Sequence, residues 1–171
     1  MKLLLLAGSA REDSLNQKLQ RQLADFAEQQ GFTVNLYPAA ALEAPLYHGD
    51  LEAEKGLPEA TKQLVNAIQN ADKVVIVSPE YNASVPPLLK NAIDWSSRDK
   101  QGVWAGKLVL LAAASPGGLG GIRGLNHLRD VLGNVQAWVA PLFMSVKNAS
   151  AESIAQLDGD FVKKFLHQGD A

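Results

Sequence analysis

The sequence predicts an α/β domain built as a doubly wound, five-stranded parallel sheet with helices on both faces. Three observations predict it. Near-continuous apolar runs at residues 3–7, 73–78 and 107–114 suit strands covered on both sides. Segments with apolar residues at helical spacing alternate with them, and parallel strands need such crossovers. The length, 171 residues, fits one domain that buries about two-thirds of the surface its unfolded chain exposes.

The elements follow in order. Leu3-Leu4-Leu5-Leu6-Ala7 forms the first strand. Leu15, Leu19, Leu23, Phe26 and Ala27 mark a helix over residues 15–30, stopped by Gly31 as its C′ residue. Residues 33–37 read as a shorter strand, with Val34 and Leu36 alternating. Residues 37–57, with Pro38, Pro45 and Gly49, form a long connection that wraps the domain or rims a site. Ala60, Leu64, Val65, Ala67, Ile68 and Ala71 give a helix over 58–71. The central strand at 73–78 carries Val74-Val75-Ile76-Val77. A third helix spans about 86–95, with proline tolerated in its first turn. A fourth strand at 107–114, a helix at 121–132, a strand at 135–139 and a last helix at 151–166 complete the alternation. Right-handed crossovers and this element count suit the flavodoxin-like order 2-1-3-4-5 in a single domain over residues 1–171.

Composition narrows the function. Charged residues make up 20% of the chain and the formal net charge is -2, so no strong field recruits nucleic acid or an acidic membrane. The expected partners are small molecules and further copies of the chain. Zero cysteines exclude disulfides, thiolate metal sites and cysteine nucleophiles. The apolar opening is shorter than the usual signal-peptide core of about 7–15 residues, and no run approaches the roughly 20 apolar residues of a membrane span. These features set the expectation of a soluble, cytoplasmic protein.

In an open parallel sheet, ligands sit beyond the carboxyl ends of the strands. Three loops there are unusual. Gly8-Ser9-Ala10-Arg11-Glu12-Asp13-Ser14-Leu15-Asn16 joins a strand to a helix start, where unpaired N–H groups and the helix dipole favour an anion. Hydroxyls, an amide and one arginine add donors. Read alone, it is equally a polar turn with Ser14 as N-cap. Pro79-Glu80-Tyr81-Asn82-Ala83-Ser84-Val85-Pro86-Pro87 follows the third strand and alone reads as a proline-rich turn. Ser115-Pro116-Gly117-Gly118-Leu119-Gly120-Gly121 follows the fourth; it reads as a flexible linker or as backbone open to close approach by a flat ligand. Three such loops on one edge favour one shared ligand.

These residues strongly resemble the NADPH-dependent FMN reductase family, over most of the chain. The signatures are Gly8-Ser9-x-Arg11-x-x-Ser14-x-Asn16, Pro79-Glu80-Tyr81-Asn82-x-Ser84-x-Pro86 with Leu89-Lys90-Asn91-Ala92-Ile93-Asp94-Trp95, and Ser115-Pro116-Gly117-Gly118-x-Gly120-Gly121. Pro45-Leu46-Tyr47 with Asp50 is similar to the family's loop after strand two. Ala83 departs from the pattern, because many members carry glycine there. The resemblance implies that Ser9, Arg11, Ser14, Leu15 and Asn16 hold the FMN phosphate and ribityl chain. It also implies that Pro79, Glu80, Tyr81 and Asn82 line the isoalloxazine, with Ser115, Gly117 and Gly118 on its other side. It further implies noncovalent FMN, NADPH or NADH as hydride donor, a homodimer or homotetramer, and quinones, azo compounds, chromate or free flavin as acceptors in a ping-pong sequence. The flavin itself carries the chemistry, so no catalytic side chain is assigned.

Other readings lose ground. A flavodoxin-type electron carrier without nicotinamide turnover shares the fold, but a net charge of -2 gives little of the acidity such carriers use for docking. A non-flavin phospholigand binder leaves two of the loops without a use. Arg123 stands where a dinucleotide fingerprint needs its third glycine, and Gly102-Val103-Trp104-Ala105-Gly106-Lys107 is one residue short of a P-loop. His48, His127 and His167 lack metal-ligand spacing. Trp95, Trp104 and Trp138 are read as core or interface residues, and Glu80 as lining the pocket.

Overall fold

The computed structural model describes residues 1–168. Its sheet runs in the order β2 (Thr33–Tyr37), β1 (Lys2–Ala7), β3 (Lys73–Val77), β4 (Leu108–Ala114), β5 (Trp138–Val139), all parallel; β6 (Met144–Val146) also pairs with β4. Side chains alternate across each strand, and so two cores form. Leu4, Leu6, Val74, Ile76, Val109 and Leu111 pack beneath α3 (Glu59–Gln69), α4 (Pro87–Ser96) and α5 (Ile122–Asn134). Leu3, Leu5, Val75, Val77, Leu110 and Ala112 pack beneath α1 (Leu15–Gln29), α6 (Ala151–Ala155) and α7 (Asp160–Leu166). This is the doubly wound 2-1-3-4-5 sheet the sequence predicts.

Local chemistry explains the boundaries. Gly31, at φ +80°, ends α1 in a Schellman turn: its N–H donates to Glu28 O, and that of Phe32 to Ala27 O. Lys73, buried at the start of β3, donates to the carbonyls of Phe165, Leu166 and Gln168 at the end of α7. A cation is favoured at that pole of the helix dipole.

Three parts differ from the sequence reading. The predicted strand at 135–139 is only Trp138–Val139, because Gln136, at φ +66°, completes the end of α5. After Ala140 donates to Val109 O, Pro141 has no N–H to continue the ladder. The chain loops out, held by Arg129, which donates to Pro141 O and stacks 3.9 Å over the Phe143 ring. It then rejoins β4 as β6. The predicted last helix is two, since Gly159 passes so close to the Phe26 ring that a Cβ would lie 3.2 Å from it. The long connection contains a 3-10 turn, Ala39–Leu42, and the short helix α2, Gly49–Lys55. Asn91 and Trp95 of α4 clamp it: Asn91 accepts from Tyr47 N–H and donates to Ala44 O and Pro45 O, and Trp95 donates to Pro45 O. Trp95 and Trp104 are buried as core residues, whereas Trp138 is 70% exposed.

Tyr37 is 8% exposed, and its hydroxyl has no hydrogen-bond partner among the described residues. Burial accordingly pushes its pKa up. An unsatisfied buried hydroxyl costs about 1–3 kcal/mol. Tyr37→Phe, which keeps the ring, is therefore expected to raise stability by about 1 kcal/mol in urea unfolding; a lower midpoint would mean that the hydroxyl has a bound-water partner. No described helix is long and apolar enough to cross a membrane.

Candidate flavin site

The first loop is shaped by two close fits. Gly8 donates its N–H to Val77 O (2.8 Å), and a Cβ there would sit 3.2 Å from Pro79 Cδ, so glycine lets the first and second loops touch. Ser14 is the N-cap of α1, its Oγ accepting from Asn16 N–H at 3.2 Å. The buried Asn16 amide is tied to the end of β4: its Nδ2 donates to Ala114 O (3.0 Å) and its Oδ1 accepts from Ala114 N–H (2.9 Å). The helix start is thus pinned to the end of β4. Among the described residues, the N–H groups of Ser9, Ala10 and Arg11 donate to no backbone carbonyl. The Arg11 guanidinium is exposed and pairs with no carboxylate among the described residues. A turn whose N–H groups and cation have no such partners among the described residues fits a phosphate.

The second loop is a two-residue hairpin. Tyr81 and Ser84 exchange both backbone hydrogen bonds, at 3.0 and 2.9 Å, around Asn82 at φ +48° and Ala83 at φ +65°. Two consecutive left-handed residues define a type I′ turn. Asn tolerates the first place; the second is ordinarily glycine, and alanine there costs about 1 kcal/mol or more. The family departure at Ala83 is thus a point of backbone strain.

Glu80 precedes that turn and reaches to the start of α5. Its carboxylate accepts from the N–H groups of Arg123 and Gly124, each at 3.0 Å, and from Arg123 Nε at 2.9 Å. Burial pushes the Glu80 carboxyl up, but the hydrogen bonds and charge of Arg123 with the Gly124 N–H outweigh it and hold the pKa below its ordinary 4.5. Because the folded pKa is the lower one, this contribution to stability is present above the ordinary range and is lost as pH falls through the folded value. Glu80 lies on the cleft wall and is also a remote N-terminal cap for α5.

The glycine-rich third loop is anchored rather than loose. Ser115 N–H donates to Val146 O, Ala149 N–H to Ser115 O and Asn148 N–H to Gly117 O, so β6 and the turn after it back the loop. Ser145 Oγ donates to Gly120 O (3.0 Å), and a Cβ on Gly120 would meet that oxygen at 2.4 Å. Gly117 uses its own N–H on Ser115 Oγ, while the space beside Gly118 is open.

The loops border an open cleft of about 200 Å³ lined by Ser9, Arg11, Ser14, Leu15, Asn16, Pro79, Glu80, Tyr81, Ala114, Ser115 and Pro116. Of the residues expected from sequence, Asn82, Gly117 and Gly118 stand outside this wall, on the hairpin tip and the exposed glycine turn. The sequence reading missed Ala114 and Pro116, the tie from Asn16 to Ala114, and Arg123 as partner of Glu80. Ser9, Arg11 and Ser14 offer donors for a phosphate, and the rest of the wall brings Pro79, Glu80 and Tyr81 together with Ala114, Ser115 and Pro116. That division suits FMN.

Comparison with known proteins agrees. The family model of the NADPH-dependent FMN reductases matches residues 1–151. A quinone reductase of Escherichia coli strain K12 is 43% identical over 146 residues, covering 84% of this chain and 77% of its own. A 2-hydroxy-1,4-benzoquinone reductase of Burkholderia sp is 38% identical over 132 residues, covering 77% and 69%. Among solved structures, the flavoenzyme NAD(P)H:(acceptor) oxidoreductase FerB from Paracoccus denitrificans matches with a TM-score of 0.79 and 30% identity, over 99% of this chain and 93% of its own. An azoreductase from Bacillus anthracis shares the fold at a TM-score of 0.65 and 20% identity, over 98% and 96%.

Proposed function

Because the chain belongs to the NADPH-dependent FMN reductase family, and is thus an FMN oxidoreductase that draws on a nicotinamide, we propose that it reduces quinones at the expense of NADPH or NADH. Azo compounds, chromate and free flavin are the further acceptors this reading allows. The observation that carries it is the convergence of three loops on one cleft, whose wall includes the Arg11 cation and the Ser9 and Ser14 hydroxyls. The relatives named as quinone reductases support the acceptor class.

Bound FMN would supply reversible two-electron chemistry between the nicotinamide donor and the acceptor, in a ping-pong sequence. The chain's part is binding and orientation. Arg11, Ser9 and the loop N–H groups would hold the phosphate. Leu15 contributes apolar wall. Ser14 and Asn16 build the cradle, each keeping one unassigned hydrogen: the Ser14 hydroxyl proton and the second Nδ2 proton of Asn16. Pro79, Glu80, Tyr81 and Asn82 would set one side of the ring slot, and Ser115, Gly117 and Gly118 the other. Tyr81, 47% exposed, would border the entry for donor and acceptor. We place the enzyme in the cytoplasm as a homodimer or homotetramer.

Anaerobic stopped-flow mixing tests the reading. NADPH or NADH alone is expected to bleach the flavin band, and a quinone added after the nicotinamide is removed is expected to restore it. Bleaching that requires both substrates together would overturn the ping-pong order. A flavin that neither nicotinamide bleaches would overturn the proposal.

A further inference from the structure

The hairpin Tyr81–Ser84 holds two left-handed non-glycine residues, and such a conformation persists only where its surroundings enforce it. One face of α5 supplies the enforcement on both sides. On the entering side, Glu80 is fixed by Arg123 and Gly124. On the leaving side, His127 Nδ1 lies 3.0 Å from Ser84 Oγ. Arg123, Gly124 and His127 are spaced i, i+1 and i+4, so they share a face of the helix. Gly124 completes the fit, since a Cβ there would sit 3.1 Å from Ser84 O and 3.3 Å from Glu80 Cβ. The two arms are unequal. Glu80 is held by an ion pair and two N–H groups, whereas the Ser84 side chain has His127 as its one partner among the described residues.

We propose that His127 is a positioning residue for the flavin ring: its bond to Ser84 holds the Ala83 turn in its left-handed conformation, and thereby sets where Tyr81 and Asn82 stand. This rests on the reading that FMN lies in the cleft, which Tyr81 lines. The histidine itself acts through Ser84. It belongs to this chain's need more than to the fold's, because a glycine at 83 would adopt the turn without restraint.

The test is a set of variants read by FMN titration and by the shape and midpoint potential of the flavin bands in the loaded protein. His127→Ala and Ser84→Ala are each expected to weaken FMN by about threefold to tenfold, the range of one ordinary hydrogen bond. Each is also expected to shift the flavin bands. The double variant should be no worse than either single one, since both remove the same bond. His127→Asn, which can place a polar atom near the Nδ1 position, should retain most of the affinity. Ala83→Gly in the His127→Ala background should restore both affinity and spectrum, because the turn then no longer needs holding.

Additive losses in the double variant would overturn the proposal. So would a lowered thermal midpoint with unchanged spectrum and affinity, or failure of Ala83→Gly to rescue. If the unsubstituted protein binds no FMN, the underlying reading fails and this assignment falls with it; binding by the parent without coupling between 84 and 127 removes the positioning role alone.

Discussion

Asn16→Ala is expected to destabilise the fold by about 3 kcal/mol and to weaken FMN along with it. Both polar atoms of the Asn16 amide are bonded to the backbone of Ala114, 98 residues away, and both residues are buried. Truncation leaves an N–H and a carbonyl without partners, at about 1–3 kcal/mol each. It also frees the start of α1 from the end of β4, and these are two of the three walls of the cleft. Asn16→Asp makes a sharper control. At neutral pH a carboxylate would face the Ala114 carbonyl, so the charged form is disfavoured and the folded pKa is raised. The native contact is available only to the protonated acid. Stability of Asn16→Asp should therefore recover as pH falls below the folded pKa and be lost as pH rises through it. Urea unfolding of both variants across pH measures this. If Asn16→Ala unfolds at the parent's midpoint, the amide is not the link between the two loops.

That link shows what the sequence could and could not reveal. β1, β3 and β4 were legible because strands buried on both faces leave unbroken apolar runs, and Gly31 was legible as a helix stop because a Schellman turn demands a left-handed residue at C′. Most of the cleft was legible because its residues cluster in three short strand-to-helix loops. Asn16 is legible as a candidate site residue, but its partner is a backbone group in another strand, and no spacing points to a backbone group. The same holds for Glu80 and Arg123, whose contact exists only once β3 and α5 are packed. The short helix α2 buries none of its residues, so it carries no apolar period to read. β6 is three residues long and follows a proline, and it is recognisable only as the rejoining of an interrupted edge. Ala83 was noticed as a departure from the family; only its φ of +65° turns that departure into strain.

Arg11→Ala is expected to weaken FMN by roughly tenfold to 150-fold, the equivalent of losing one charge-assisted contact of about 1.5–3 kcal/mol. The fold itself should be indifferent, since the exposed guanidinium has no protein partner among the described residues. The ligand-free protein should therefore unfold at the parent's midpoint, while the added stability given by a fixed excess of FMN falls by the same free energy that titration records. Agreement of the two separates a binding contact from a structural one. Arg11→Lys should fall between the parent and Arg11→Ala, because it keeps the charge but loses the planar fork that engages two phosphate oxygens. Salt supplies a third check. An exposed cation acting on an anion is screened, so FMN affinity of the parent should decline with ionic strength more steeply than that of Arg11→Ala. An unchanged FMN titration in Arg11→Ala would remove this residue from the phosphate cradle. The task would then fall to the loop N–H groups and the Ser9 hydroxyl, which carry no net charge, and the parent's affinity should then vary little with salt.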